Sequence, residues 1–249
     1  TADRLDNLVS CFALGLRPSG SQDPYALRRQ MQALILIAVA SGLRYNLRDA
    51  LSHVYSLLQG TASAEGVKSD EQSIAEALAA MEELAQQRLA AALEEDGVRY
   101  DLPRAVNSAG WRDFVEAWQR AKLLAAKADR DPEWEHVVLS GQRITNIYRP
   151  AEAQAAPSVD EALLLQPEER ELWQAAQHAQ QRVVAAVAEG CWQELWDTAV
   201  ELAPIIDRFF DEVLVMAEDP ALRANRLALL REVQVALFAL SDMREVVLA

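Results

Sequence analysis

Three polar residues near the end of this 249-residue chain have side chains suited to contacting phosphates or nucleobases. In the segment DPALRANRLALL, residues 219–230, Arg223, Asn225 and Arg226 lie within one helical turn. A guanidinium group can form two parallel hydrogen bonds to a phosphate or a base edge, and an asparagine amide can pair with a base edge. These residue types at this spacing could therefore bind a polyanion.

The Asp-Pro pair that opens the segment has a purely structural explanation. The same pair opens DPYALRR at 23–29 and DPEWEHV at 131–137. An aspartate before the first turn accepts hydrogen bonds from backbone N–H groups that lack helical partners, and a proline in the first helical position loses no needed bond. The repeats predict three helices that begin in the same way.

Asn225 also has a structural interpretation. It follows Leu222 by three residues and precedes Leu229 by four, which places it close to the apolar face of the predicted helix. A half-buried amide has to find hydrogen-bond partners, and the end of a neighbouring helix can supply them. We favour this packing role over a ligand contact.

The distribution of charge limits where a polyanion could bind. The net charge of −14 argues against generic nucleic-acid binding. The 50-residue block that begins the chain has a balance of +2 and the third block has +1, whereas the other three blocks are acidic, at −6, −7 and −4. Of the 24 basic residues, 21 are arginine, which suits phosphate contacts, but a GC-rich genome gives the same bias and is the explanation we favour. Polyanion contacts should therefore come from the first and third blocks or from individually placed arginines.

The elements that would position these residues are all helices. Apolar residues recur at helical spacing along the chain and no strand pattern of any length occurs, so the fold class is all-α, with two or three helical subdomains ending in a helical bundle. The predicted helices cover about 3–16, 24–41, 46–58, 70–95, 111–128, 132–149, 167–188, 191–216 and 219–246. A break is expected near Ser140 and Gly141, and RYDLPRAVNSAG is expected to be a connection with about one helical turn.

Two small-residue segments predict domain boundaries. GTASAEGVKSD at 60–70 and PAEAQAAPSV at 150–159 divide the chain into domains at 1–60, 61–150 and 151–249. Cys11 and Cys191 are isolated, which favours reduced thiols and a cytoplasmic location, and no apolar run approaches the roughly 20 residues that cross a bilayer. The first residues are already periodic, so we expect a piece of a longer protein.

Two long blocks and one short block of the sequence resemble a known family. FFDEVLVMAEDPALRANRLALL at 209–230 resembles the signature of the C-terminal anticodon-binding domain of the bacterial glycyl-tRNA synthetase beta subunit. ADRLDNLVSCFALGLRPSGSQDPYALRRQ at 2–30 resembles an upstream block of the same subunit, at the end of its HD-like domain, and QRITNIY at 142–148 is a weaker match. The blocks fall in the family's order, whereas SDMREVV at 241–247 departs from its usual Val-Ala-Asp-like stretch.

The resemblance implies a part in protein synthesis. The family joins glycine to its tRNA with ATP and Mg²⁺ at a site on a separate alpha subunit, and the beta subunit holds tRNA-Gly in an expected alpha2beta2 enzyme. By this resemblance, residues 1–60 end the HD-like domain, 61–150 bind the tRNA body and 151–249 form a DALR-type helical anticodon-binding domain. We expect no catalytic residue, metal ligand or cofactor in this chain, and no membrane partner.

The same resemblance implies two groups of candidate site residues. The anticodon stem-loop is expected to meet Arg223, Asn225 and Arg226 of the matching motif, with Arg231 and Arg244 as phosphate contacts. The tRNA body is expected to meet the basic side chains of the third block, namely Arg112, Arg120, Lys122, Lys127, Arg143 and Arg149.

Two other readings of the residues remain open. ADRLD at 2–6 also resembles the last metal-ligand segment of HD phosphohydrolases, with Asp3 as the ligand, but one carboxylate cannot hold a catalytic metal and we give this reading little weight. His53, His136 and His178 are widely separated, so they do not complete such a site. The rival from another class is an acidic helical scaffold that binds only protein.

Overall fold

The computed structural model describes residues 2–20, 22–59, 67 and 70–248. These residues form ten α-helices and three short 3₁₀ segments, and the only strand-like pairing among them is one antiparallel bridge between Ser19 and Gln22. The prediction of an all-α fold is confirmed. Lys68 and most of the predicted boundary at 60–70 lie outside the described residues.

The first compact unit comprises Thr1–Pro103 and Trp111–Ala121. Its complete helices are α1 (Ala2–Ala13), α2 (Leu27–Ser41), α3 (Leu47–Gln59) and α4 (Glu71–Glu95). These four helices pack on one another around buried side chains that include Leu8, Met31, Ile35, Leu51 and Leu89. The apolar residues recur at three- and four-residue intervals, so each helix turns one face to this core.

The second compact unit comprises Arg104–Gly110 and Lys122–Ala249. Its complete helices are α7 (Trp134–Ala151), α8 (Pro167–Glu189), α9 (Trp192–Glu212) and α10 (Pro220–Phe238), with 3₁₀ segments at Glu152–Gln154, Glu161–Leu163 and Met243–Glu245. Helix α8 packs against α9 and α10, and α7 packs against the same two helices. The four helices therefore enclose one core, which includes Leu172, Trp196, Ile206, Leu229 and Val233.

Helices α5 (Asp101–Ala109) and α6 (Phe114–Arg130) contribute residues to both units. The segment that contains α5 was predicted to be a connection with one helical turn, and this prediction is wrong. Pro103 lies in the first turn of α5, where its missing N–H breaks no helical hydrogen bond.

The three Asp-Pro pairs begin their helices differently. Asp219 is the N-cap of α10, where its Oδ1 accepts hydrogen bonds from the backbone N of Ala221 at 2.7 Å and of Leu222 at 3.3 Å, as predicted. The predicted start of α2 at Pro24 is wrong, because α2 begins at Leu27 after Ala26, which has a positive φ of 54°.

The other two aspartates still bond to backbone N–H groups near their helix starts. The Asp23 carboxylate accepts from the backbone N of Leu27 at 2.7 Å and of Arg28 at 3.0 Å. Oδ1 of Asp131 accepts from the backbone N of Glu133 at 3.0 Å, one residue before α7 begins. An Asp-Pro pair therefore predicts that a helix starts nearby without fixing its first residue.

Two further predictions, about a break in one helix and the end of another, are wrong. Helix α7 runs unbroken through Ser140 and Gly141. A Cβ on Gly141 would lie 2.8 Å from Cγ of Met243, so glycine is needed there for close approach. Helix α10 ends at Phe238 rather than near 246, and the chain continues into a 3₁₀ segment capped by Asp242.

The second predicted boundary, at 150–159, falls within the second unit. The backbone N of Ala156 donates to the carbonyl oxygen of Ala224 at 2.9 Å, which ties this segment to α10. The two compact units do not follow the three predicted domains, and the three-domain division of function stays a prediction.

Candidate nucleic-acid interface

Asn225 is enclosed by protein and holds the chain segment that precedes α8. It is 1% exposed. Its Oδ1 accepts a hydrogen bond from the backbone N of Asp160 at 2.7 Å, and its Nδ2 donates to the carbonyl oxygen of the same residue at 3.0 Å. Both ends of the amide are therefore used in packing, which is the structural role favoured for this residue.

Arg226 is also enclosed, in a buried ion pair. It is 7% exposed, and its Nε donates to Oε1 of the fully buried Glu169 at 2.6 Å. Its Nη1 donates to the carbonyl oxygen of Leu214 at 2.9 Å. The other carboxylate oxygen of Glu169 accepts from the backbone N of Gln166 at 2.7 Å and completes the capping box of α8. Arg226 thus joins the starts of α8 and α10 to the segment that follows α9.

Arg223 is half-buried beside the same helix start. Its Nη1 donates to the carbonyl oxygen of Ala217 at 2.9 Å. Of the three residues in the matching motif, Arg223 is therefore the one whose side chain is partly accessible to solvent.

Arg149 and Arg231 come together in an open groove between α7 and α10, which we call the α7–α10 groove. The groove has a volume of about 670 Å³. The residues that determine its chemistry are Tyr148, Arg149, Glu152, Arg231, Gln234 and Phe238. It therefore combines two cations, two aromatic rings, one carboxylate and one amide.

The Arg149 guanidinium lies over an aromatic ring of this groove. Its Cζ is 5.3 Å from the centroid of the Phe238 ring, within the range of a cation–π contact. Its Nη2 is 3.3 Å from Oδ2 of the buried Asp242. The side chain is 38% exposed, so it is held in place while it still faces solvent.

Arg231 forms the other cationic wall of the groove. Its Nη1 donates to the carbonyl oxygen of Ala156 at 3.0 Å, and its Nη2 donates to that of Pro157 at 2.9 Å. A carboxylate oxygen of Glu232 lies 2.9 Å from Nη2. The side chain is 28% exposed, so Arg231 both fixes the 156–157 segment and leaves part of its charge accessible.

Arg244 shares the carboxylate that holds Arg149. Its Nη2 donates to Oδ2 of Asp242 at 3.0 Å. This hydrogen bond is the main reason that the pKa of Arg244 is raised above its usual value. The buried Asp242 therefore places two half-exposed arginines next to each other.

Two of the tRNA-body candidates lie in the first unit. Arg112 is half-exposed and its Nε donates to Oε1 of Glu82 at 2.6 Å. Arg120 is almost completely buried, and this burial is the main reason that its pKa is lowered. Arg112 could reach a ligand, whereas Arg120 is part of the interior.

The remaining tRNA-body candidates are spread along α6 and α7 of the second unit. Lys122 is exposed on α6. Nζ of Lys127 lies 3.0 Å from Oδ2 of Asp131. Arg143 is exposed and its Cζ stacks 4.5 Å from the centroid of the Phe210 ring. These residues do not line the α7–α10 groove.

Sequence reasoning did not select Tyr148, Gln234 or Phe238. Gln234 is 8% exposed, and its Oε1 is buried without a hydrogen-bond partner among the described residues. Arg231, Gln234 and Phe238 are spaced by three and four residues, so they lie on one face of α10. That spacing was visible in the sequence, but the face of α7 that it meets was not.

In the described part of the chain, no group of three His, Cys, Asp or Glu side chains is placed so that it could hold a metal ion. Every helix in the same residues is too short or too polar to pass through a lipid bilayer.

Comparison with sequence families gives a match to each half of the chain. Residues 1–108 match the family described as "Glycyl-tRNA synthetase beta subunit". Residues 137–241, which include the α7–α10 groove apart from Ala109, match the family described as "DALR anticodon binding domain".

Curated relatives extend the similarity over nearly the whole chain. The chain is similar to the glycine–tRNA ligase beta subunit of Anaeromyxobacter dehalogenans strain 2CP-C, with 36% identity over 247 residues, which is 98% of this chain and 34% of that protein. The beta subunit from Desulfitobacterium hafniense strain DCB-2 is 35% identical over 97% of this chain and 34% of its own length. That from Moorella thermoacetica is 34% identical over 99% of this chain and 34% of its own length. The chain thus spans about a third of the length of these relatives.

Proposed function

We propose that this chain, which matches the glycyl-tRNA synthetase beta subunit family over residues 1–108 and the DALR anticodon-binding domain family over residues 137–241, holds tRNA-Gly for glycylation. The second unit would meet the anticodon stem-loop. The first unit and α6 would contribute contacts to the tRNA body.

The proposed division of labour leaves the chemistry to another subunit. ATP and Mg²⁺ would be used on the alpha subunit, which would join glycine to the tRNA, in an alpha2beta2 enzyme of the cytoplasm. This chain would supply no catalytic residue and no cofactor. Its contribution to the rate would be to keep the tRNA bound in a fixed orientation, which removes entropy from the reacting complex before the reaction.

The observation that carries the proposal is the α7–α10 groove within the residues that match an anticodon-binding family. Bases in an RNA loop are unstacked, and proteins bind them by stacking on aromatic rings and flat guanidinium groups. Phe238 and Arg149 provide both kinds of surface at 5.3 Å from each other. Arg231 adds a partly exposed charge for the neighbouring phosphates.

The proposal gives the candidate residues different tasks. Arg149, Arg231, Arg244 and Arg143 would contact RNA, since each keeps an exposed part of its side chain. Asn225 and Arg226 would shape the domain from inside, because their polar atoms are already bonded to Asp160 and Glu169. A few cations on an acidic exterior would also limit binding to unrelated polyanions.

The test is the salt dependence of tRNA-Gly binding by the ligase assembled with this chain in its beta subunit. Each phosphate contact should add about 0.7 to 0.9 to the slope of log affinity against log salt. Arg149→Ala should weaken binding about threefold to tenfold and reduce the slope by about one contact. Arg208→Ala is the matched control, because this exposed arginine of α9 pairs with Glu171 and does not line the groove.

Three results would contradict the proposal. The first is binding that does not change with salt, and the second is equal behaviour of Arg149→Ala and Arg208→Ala. The third is glycylation that does not depend on residues 137–241. Such results would favour the rival interpretation, an acidic helical scaffold that binds protein.

A further inference from the structure

We infer that the α7–α10 groove takes one unstacked nucleobase of the bound RNA and that Gln234 reads the edge of that base. This inference rests on the proposed function and makes it specific, since it names the group recognised and the residue that recognises it.

The first reason for this inference is the unpartnered side-chain oxygen of Gln234. Its side chain lies in the wall of the groove and is 8% exposed, yet its Oε1 has no hydrogen-bond partner among the described residues. A buried amide oxygen without a partner destabilises the folded state, so such groups are rare unless a ligand satisfies them. A ligand that offers an N–H group at this position would remove that cost.

The stacking surface is the second reason. Phe238 is half-buried at the groove, and the planar Arg149 guanidinium lies 5.3 Å from its ring centroid. A base can stack on an aromatic ring or on a guanidinium plane whatever its sequence. Helical spacing places Phe238 one turn after Gln234, so a base stacked there would bring its edge towards the amide.

The charge of the groove indicates a base rather than a run of backbone. Two arginines are offset by Glu152, whose carboxylate accepts a hydrogen bond from the Tyr148 hydroxyl. A carboxylate repels phosphates, so the groove suits one base with its phosphates at the rim beside Arg149 and Arg231. The volume of about 670 Å³ lies within the range of pockets that enclose small molecules.

The unpartnered acceptor also predicts what the base must offer. An amide oxygen accepts a hydrogen bond from an N–H group. Cytosine, adenine and guanine each carry an exocyclic amino group, and uracil carries a ring N–H group. The groove should therefore hold a base that turns an N–H group towards Gln234, whatever the identity of that base.

The experiment uses the assembled ligase and tRNA-Gly transcripts in which each anticodon-loop nucleotide is replaced, one at a time, by an abasic site. Gln234→Leu should weaken binding of the unmodified tRNA roughly tenfold, because the base edge loses its partner. It should have no effect on the one transcript that lacks the recognised base.

Phe238→Leu provides a second variant with a different mechanism. It removes the ring but keeps an apolar side chain, and it should also lose roughly tenfold, again with no effect at the same abasic position. Val184→Ser is the control, since Val184 is exposed on α8 and does not line this groove. The thermal unfolding midpoint of Gln234→Leu should equal or exceed that of the wild type, because the unpartnered oxygen is gone.

The outcomes separate this inference from the proposed function. If the wild type binds with salt dependence and Arg149→Ala weakens it while Gln234→Leu and Phe238→Leu do not, the nucleobase site is wrong and the tRNA-binding function stands. Equal losses at every abasic position would also overturn the site. Absence of salt-dependent binding by the wild type would overturn both.

Discussion

The two halves of α10 show how differently arginines in one helix are used. In the first half, Asn225 and Arg226 are buried and their polar atoms bond to Asp160 and Glu169. In the second half, Arg231 and Phe238 line an open groove. The part of the helix that matches the family motif in sequence thus holds the domain together, and the other part lines the open groove.

The difference lies in the solvent exposure of the arginine side chain rather than in residue type. Both Arg226 and Arg149 bond to a buried carboxylate, but the Arg226 side chain is 9% exposed and the Arg149 side chain is 38% exposed. Separating a desolvated ion pair in order to bind RNA costs several kcal/mol of free energy, whereas the arginine of a half-exposed pair can exchange its partner for a phosphate at little cost. Accessibility, which sequence does not report, therefore decides which arginines are available.

The largest effect should come from breaking the buried pair. Arg226→Ala removes the ion-pair partner of the fully buried Glu169 and leaves its charge with only the hydrogen bond from the backbone N of Gln166, so we expect a loss of about 3 to 5 kcal/mol in the free energy of unfolding. Urea denaturation followed by circular dichroism measures it. The double variant Arg226→Met with Glu169→Leu should recover most of the loss, since both charges are then absent. A single-variant loss below about 1 kcal/mol would show that the two halves of α10 do not differ in this way.

A smaller loss is expected from Asn225. Asn225→Ala leaves the backbone N of Asp160 without its partner and removes one of the two hydrogen bonds to the carbonyl oxygen of Asp160, which should cost about 1 to 3 kcal/mol of unfolding free energy. Asn146→Ala is the matched control, because Asn146 is exposed on α7 and should change stability by less than about 0.5 kcal/mol. Equal losses for the two variants would contradict the structural role of Asn225.

The role of the α7–α10 groove is best examined by a change in Arg149 that keeps its charge. Arg149→Lys retains the cation but loses the flat face above Phe238, so tRNA-Gly affinity should fall about twofold to fivefold, or about 0.5 to 1 kcal/mol. The salt slope should stay as in the wild type, in contrast to Arg149→Ala. A matching drop in slope would show that Arg149 contributes only charge, and filter binding at several salt concentrations separates the two cases.

The smallest effect concerns the anchoring of α7, the helix that carries Arg149. Nε2 of His136 is 2.8 Å from Oδ2 of Asp207 on α9, and its Nδ1 is 3.3 Å from Oε2 of Glu133. Burial alone would lower the pKa of His136, but the hydrogen bonds and charges of Asp207 and Glu133 outweigh it and the pKa is raised.

The direction of the pH effect follows from this raised pKa. The stabilisation should be fully present below the unfolded pKa of about 6.5 and lost as the pH rises through the folded value. All three side chains are substantially exposed, so the effect should be a few tenths of a kcal/mol. The difference in unfolding free energy between the wild type and His136→Gln should shrink from pH 5.5 to pH 8.5. A difference that grows would contradict the assignment.

Much of the fold could be predicted because local rules suffice for helices. The apolar spacing predicted the extents of α4 and α8 to within one residue, whereas α9 ends at Glu212, four residues before its predicted end, and Asp219 caps α10 as expected. The errors arose where a tertiary contact overrides a local signal. Gly141 indicated a break, yet it lies inside α7. Its glycine serves close packing instead, because a Cβ there would lie 2.8 Å from Cγ of Met243.

The sequence by itself determined that the chain is all-α, that it resembles a tRNA-synthetase subunit and that its last long helix carries arginines of a type suited to phosphate contacts. Only the tertiary structure decided that Arg226 is enclosed and that Arg149 and Arg231, 82 positions apart in the chain, face one groove. The physical reason is that helical periodicity fixes which residues share a face of one helix. Which faces of two helices meet depends on the packing of the whole core.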